Sequence, residues 1–245
     1  MNSRERMITA LNFEEPDRVP IVANLTPQVA ERLGKVMNLP YEAEDSILST
    51  RVSHTEILLE LGNDAVLIGA CRAKGHPTVT LENGNTKDEW SFEYGNFGIY
   101  SDIVGRPLKD VTSIEELNQY PFPDPLAEGR WELAQRISQK YKNDYYVIGD
   151  LEACLFELSW NLTGLDKFLI DLTMEVDYIF ELLDRVLDYS ITCGIKMIDL
   201  GADMIWAGDD FGTQRGMMIS PDMWRTYFKP RMKKMFDAFK AHKPD

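Results

Sequence analysis

Positive charge is scarce in this chain: 26 Lys and Arg stand against 40 Asp and Glu, a formal net charge of -14. That balance argues against nucleic acid as a partner, because neutralising phosphates takes clustered cations. Cysteine is scarce too. Cys71, Cys154 and Cys193 are far apart, odd in number and form no CxxC pair, so neither a disulfide framework nor a local zinc knuckle is expected. The three histidines, His54, His76 and His242, have no mutual i, i+4 spacing and no adjacent Cys, and no metal site can be read within the chain. GxGxxG, GxxxxGK(S/T) and GxSxG are missing, which removes the common signals for dinucleotides, nucleotide phosphates and a serine nucleophile. No apolar run approaches the ~18 residues of a membrane span, and the N-terminus does not read as a signal peptide. A soluble, cytoplasmic protein with no membrane partner is the expectation.

What is present is an alternation of helices with short apolar strands. Leu61-Gly62-Asn63-Asp64 leads into Ala65-Val66-Leu67-Ile68-Gly69, and Leu200-Gly201-Ala202-Asp203 leads into Met204-Ile205-Trp206-Ala207-Gly208. The same unit of helix stop, strand and glycine exit thus occurs twice. A third strand, Tyr145 to Gly149, shares the glycine exit, and a fourth candidate lies at Val19. Wholly apolar strands between helices indicate a parallel α/β sheet covered on both faces.

Helices are predicted from Ser3 to Leu11, from Thr26-Pro27 onward, over Glu44 to Leu61, Val111 to Tyr120, Arg130 to Tyr141, Leu155 to Leu162, Leu165 to Thr173 and Val176 to Leu200. A last one runs from Pro221 to about His242 and is disturbed by Pro230. Residues 77 to 100 alternate in the manner of an antiparallel hairpin and read as an insertion. Four strands are about half of the eight that a closed barrel needs. Residues 1–245 are therefore expected to be the N-terminal part of one TIM (β/α)8 barrel domain, ending before closure. An open doubly wound sheet is the alternative, with the missing Gly-rich loops against it.

In parallel α/β folds the chemistry gathers at the carboxyl ends of the strands. The richest such end is Gly208-Asp209-Asp210-Phe211-Gly212-Thr213-Gln214-Arg215-Gly216. Paired carboxylates there can hold a cation, accept substrate hydrogen bonds or share a proton, or one of them can simply cap the following turn. Asp209 and Asp210 are the candidate catalytic pair, with Thr213 and Gln214 as substrate-binding candidates. Asp150 and Glu152 alternate at a second strand end and could face one side. Arg72, at a third, offers a cation to an anionic substrate.

Several segments together resemble the uroporphyrinogen decarboxylase-like superfamily. They are Arg4-Glu5-Arg6, Ala10-Leu11, Glu15-Pro16-Asp17-Arg18-Val19-Pro20, Asp88-Glu89-Trp90, Pro107-Leu108 and Pro121-Phe122-Pro123-Asp124-Pro125. Gly201-Ala202-Asp203, the Asp209 to Gln214 run, Ile219-Ser220-Pro221-Asp222-Met223-Trp224 and Lys229-Pro230 complete the set. The resemblance implies a (β/α)8 barrel and one of two activities. True decarboxylases carry an Arg-Gln-Ala-Gly-Arg-Tyr motif and an Asp after the second strand. Here Ala23-Asn24-Leu25-Thr26-Pro27 and Gly69-Ala70-Cys71 stand in those places.

The resemblance therefore leans to the methyltransferase branch. It implies methyl transfer between a small methylated donor, or a thiol acceptor, and a corrinoid (cobalamin) carried by a partner protein. It also implies a zinc ion held by His-x-Cys and a further Cys, ligands expected beyond residue 245. Uroporphyrinogen III decarboxylation and a non-catalytic corrinoid-binding homologue are the alternatives. Exposed sheet edges would favour homo-oligomers.

Overall fold

A computed structural model of the chain describes residues 1–44, 46, 51–98 and 100–244. In chain order its elements are α1 (Ser3–Leu11), α2 (Pro27–Met37), α3 (Thr55–Glu60), β1 (Ala65–Ile68), β2 (Val79–Thr80), β3 (Thr86–Lys87), β4 (Glu93–Asn96), β5 (Ser101–Gly105), α4 (Ile114–Leu117), α5 (Glu132–Tyr141) and β6 (Tyr146–Leu151). There follow α6 (Phe156–Thr163), α7 (Leu165–Thr173), α8 (Asp177–Asp199), β7 (Met204–Ala207), β8 (Gly212–Thr213), β9 (Gly216–Met217), α9 (Pro221–Met223), a π-helical turn (Trp224–Phe228) and α10 (Lys229–His242). The chain forms two compact units. One comprises Met1–Arg72, Gly129–Glu152 and Cys193–Ala207; the other comprises Ala73–Glu128, Ala153–Thr192 and Gly208–Asp245.

The first unit holds a parallel sheet of order β1-β6-β7. The sheet is parallel because each strand is reached through helices; β1 and β6 are largely apolar and buried along their whole length, whereas β7 is only partly covered, with Trp206 exposed. Gly149 shows why a glycine ends the third predicted strand: a Cβ there would sit 2.6 Å from Ile205 Cδ1 and 3.1 Å from Met197 Cβ. Gly62 and Gly201, the helix stops of the repeated unit, both have left-handed φ, 99° and 102°.

The aspartates of that repeat do more than end a helix. Arg6 Nη1 donates to Asp64 Oδ1 at 2.6 Å, and Arg4 Nη2 donates to Asp203 Oδ1 at 2.6 Å. Arg18 adds a second guanidinium to Asp64, and Asp17 takes the other side of Arg6. Burial alone would raise the Asp64 carboxyl, but the Ile21 N–H and the two guanidiniums outweigh it and hold the group below its ordinary value. Arg6 likewise lowers Asp17. The Arg4-Glu5-Arg6 and Asp17-Arg18 motifs thus lash α1 to the entries of β1 and β7. Glu5 completes a capping box with Asn2, so Asn2 and not Ser3 caps α1.

Three expectations need correction. Residues 18–26 form no strand: the stretch is tied to the entry of β1 by side chains, with Ile21 N–H donating to Asp64 Oδ2 and Asn63 bonding both N–H and C=O of Ala23. Pro20, which has no N–H, cannot extend a ladder there. The helix predicted over Glu44 to Leu61 is observed only at Thr55–Glu60, after His54 in a left-handed turn of φ 61°; Asp45 and residues 47–50 lie outside the described residues. The segment read as one hairpin at 77 to 100 reaches Gly105 and is a four-stranded antiparallel sheet, β2-β3-β4-β5.

That sheet belongs to the second unit, where the fully buried Trp90 packs edge-on against Tyr189 of α8, with ring centroids 4.8 Å apart. Pro230 disturbs the last helix in a definite way. It has no N–H to give the preceding turn and its ring would clash there, and the wider π turn over Trp224–Phe228 makes room, with Lys229 N–H reaching Trp224 O.

Candidate functional site

In the first unit, residues two apart on a strand share a face, and the register lines them up in rows. Leu67, Ile148 and Met204 form one row; Asp150 and Trp206 form the next, nearer the carboxyl ends. Leu67, Ile148, Met204 and Trp206, with Met7 of α1, Val22 and Ala23, border a cavity of about 350 Å³ whose polar lining comes from Asn24 and Arg51.

Arg51 closes the top of that face. Its guanidinium lies 3.6 Å from the Trp206 ring centroid, its Nη2 is 2.9 Å from Glu152 Oε1 and its Nη1 is 4.0 Å from Asp150 Oδ1. The side chain of Asp150 is fully buried, those of Arg51 and Glu152 only partly exposed. A guanidinium sandwiched between an aromatic face and two carboxylates is fixed in orientation, because stacking and the ion pairs constrain different axes. Asp150 and Glu152 are thus brought together, and by a cation that sequence reasoning missed. Its one sequence signal is an arginine directly before Val52 of the apolar stripe predicted between Ile47 and Leu61. Arg72 follows β1 and is half-buried. The backbone just before it is pinned by Arg130, whose Nη1 donates to Cys71 O at 2.9 Å.

The second unit contains the acidic loop, and there the two adjacent aspartates diverge. Asp209 accepts hydrogen bonds from Phe156 N–H at 3.0 Å and Glu157 N–H at 2.9 Å, and its Oδ2 lies 3.5 Å from Cys154 Sγ. The residue before α6, Leu155, has no capping side chain of its own, so Asp209 caps that helix from far along the sequence. Burial raises the Asp209 carboxyl despite the backbone donors, and burial next to Asp209 pushes the Cys154 thiol up, which keeps it un-ionised and poorly nucleophilic.

Phe211 completes the anchorage by stacking on Phe156, with centroids 4.7 Å apart. Asp210 is exposed, as are Thr213 and Gln214 on the turn between β8 and β9. There the Thr213 hydroxyl bonds to Gly216 O at 3.0 Å and accepts from Arg215 N–H at 3.2 Å. The geometry therefore gives Asp209 a capping role and presents Asp210, Thr213 and Gln214 outward. Among the described residues no group of three or more His, Cys, Asp or Glu side chains could hold a metal ion, and no helix is long and apolar enough to cross a membrane.

A parallel α/β sheet with its ionisable groups at the carboxyl ends of the strands defines a class of enzymes and binding proteins rather than one activity. The family is more definite. Residues 100–245 match the model of the uroporphyrinogen decarboxylase (URO-D) family, and the chain belongs to that family. Among solved structures it resembles a methyltransferase from Methanosarcina mazei, with a TM-score of 0.61 and 19% identity over 98% of this chain and 67% of that one. That likeness is one of fold. No curated protein matches the chain.

Proposed function

We propose that this chain holds the substrate of a methyltransferase of the URO-D family, on a (β/α)8 barrel in which β1, β6 and β7 are neighbouring staves. In this reading a methyl group passes between a small methylated molecule, or a thiol, and a corrinoid carried by a cytoplasmic partner protein. The observation that carries it is the cavity of about 350 Å³ on the inner face of the sheet, walled by Leu67, Ile148, Met204 and Trp206. Such a space suits a small molecule with an apolar body.

The residues of this chain have definable tasks. The apolar wall keeps water from the bound methyl group, Asp150 and Glu152 hold Arg51, and Arg51 holds the plane of Trp206. Asp209 fixes the loop after β7 to α6, leaving Asp210, Thr213 and Gln214 exposed. The zinc of the methyltransferase branch finds no fitting ligand set among the described residues, since Cys154 is buried against a carboxylate and the histidines do not converge with acids or thiols.

Uroporphyrinogen III decarboxylation is the second reading, favoured by the family's own description. Against it stands the charge at the cavity, where the lining arginine already faces two carboxylates. The test is direct. The protein is mixed with reduced corrinoid protein and a panel of small methyl ethers and methylthiols, and the corrinoid absorbance is followed. Methyl-corrinoid formation with any of them supports the proposal; no change, together with loss of carboxylates from uroporphyrinogen, would replace it with decarboxylation.

A further inference from the structure

We infer that the cavity beneath Arg51 selects an uncharged ligand with an apolar body, and that the ion cluster of Arg51, Asp150 and Glu152 is its charge filter. The inference deepens the methyl-transfer reading by naming the class of molecule held, and it rests on that reading only for turnover.

An arginine at a cavity ordinarily suggests an anionic ligand, because its fork of donors fits a carboxylate. Here one arm of that fork, Nη2, is held by Glu152, and the other, Nη1, faces Asp150. Arg51 stands 2.9 Å from Glu152 and 4.0 Å from Asp150, so these three groups sum to one negative charge. An incoming carboxylate must either add a further anion to the cluster or displace one that is present. Displacing Asp150 would strand a fully buried carboxylate, the more costly outcome.

A cation is rejected by a different element. The Trp206 face that would attract it is covered by the guanidinium 3.6 Å away. The rest of the lining offers little to a charge of either sign. Leu67 and Ile148 are aliphatic, and the thioethers of Met7 and Met204 are soft, adaptable surfaces that suit the edge of a ring. The volume of about 350 Å³ accommodates one substituted ring.

Three probes of similar size separate the possibilities: 2-methoxyphenol as the neutral one, 2-methoxybenzoate as the anion and phenyltrimethylammonium as the cation. Binding to the full chain is read by calorimetry and by Trp fluorescence at pH 7. The expected result is that the neutral ring binds at least about tenfold more tightly than either ion. The variant is Glu152→Gln, a partly exposed position whose loss does not threaten the fold. It removes one negative charge and frees part of the Arg51 fork, so the preference for the neutral ring over the anion should narrow about tenfold.

Tighter binding of the anion or the cation to the wild type overturns the inference. So does an equal loss for all three probes in Glu152→Gln, which would mark the cluster as merely structural, and so does no measurable binding of any probe. Neutral binding without methyl transfer would leave this inference standing and sink the proposed function instead.

Discussion

Replacing Asp209 with Ala separates a structural cap from a chemical group. The substitution removes the acceptor for two backbone N–H groups, those of Phe156 and Glu157 at 3.0 and 2.9 Å, at the start of a helix with no cap of its own. Loss of an N-cap costs about 0.5–2 kcal/mol, and a buried donor left without a partner costs about 1–3 kcal/mol. The two costs overlap, and together they amount to about 2–4 kcal/mol. At roughly 2–4 °C per kcal/mol for a chain of this size, the melting temperature should fall by roughly 4–16 °C.

Circular dichroism melts give the midpoint, and hydrogen exchange at the amides of residues 156 and 157 reports the local opening. Asp210→Ala, at the exposed neighbour, is the control and should stay within about 0.5 kcal/mol of wild type. An Asp209→Ala protein that melts like wild type with unchanged protection at 156 and 157 would refute the capping argument. If it also lost activity, the aspartate would return to the chemistry.

Further outcomes follow from the first unit. Asp64→Ala takes one carboxylate from Arg6, which keeps Asp17, and removes the acceptor of Arg18 and of the Ile21 N–H, so it should destabilise the fold, seen as a lower urea midpoint at pH 7. Because the folded state lowers the Asp64 and Asp17 carboxyls, their contribution is fully present above the ordinary value of 3.8 and is lost as the pH falls through their folded values. Urea midpoints taken at descending pH below about 4 should therefore drop faster for wild type than for Asp64→Asn. Gly149→Ala places a Cβ 2.6 Å from Ile205 Cδ1 and should destabilise, overpacking of this kind costing about 1–3 kcal/mol. Ile205→Val, which removes that atom, should recover part of the loss in the double variant, and simple additivity in the thermal melts would contradict the packing account.

What could be read from the sequence and what could not divide along the range of the interactions. The helix stops at Gly62 and Gly201, the start of α2 at Thr26-Pro27 and the disturbance at Pro230 are local conformational facts, and a few adjacent residues state them. The partners of Asp64 and Asp203 are not local: Arg6 lies 58 positions before Asp64, and Arg4 lies 199 before Asp203. Val19-Pro20-Ile21-Val22 has the apolar content of a strand, yet its backbone is satisfied by Asn63 and Asp64 side chains, which no periodicity reveals.

The same limit acted on the site. Asp150 and Glu152 were legible as a pair because alternation along a strand puts them on one side, whereas Arg51 reaches them from a segment about 100 residues earlier. For Asp209 and Asp210 adjacency suggested a shared role, but neighbouring residues after a strand need not point the same way. One found a helix terminus and the other stayed exposed.

The tie between Arg4 and Asp203 spans 199 positions of sequence. On a ribosome, the opening helix of this protein has been made long before its second anchor leaves the exit tunnel. The first turn of α1 therefore gains its Asp203 anchor well after it is made. Until then Arg6 can engage Asp17 and Asp64, but the guanidinium of Arg4 has to wait, and closing so long a loop is the slow kind of contact. During synthesis α1 is held by one arginine and not yet by the other, and a chaperone that shields half-anchored segments would find its opportunity in that interval.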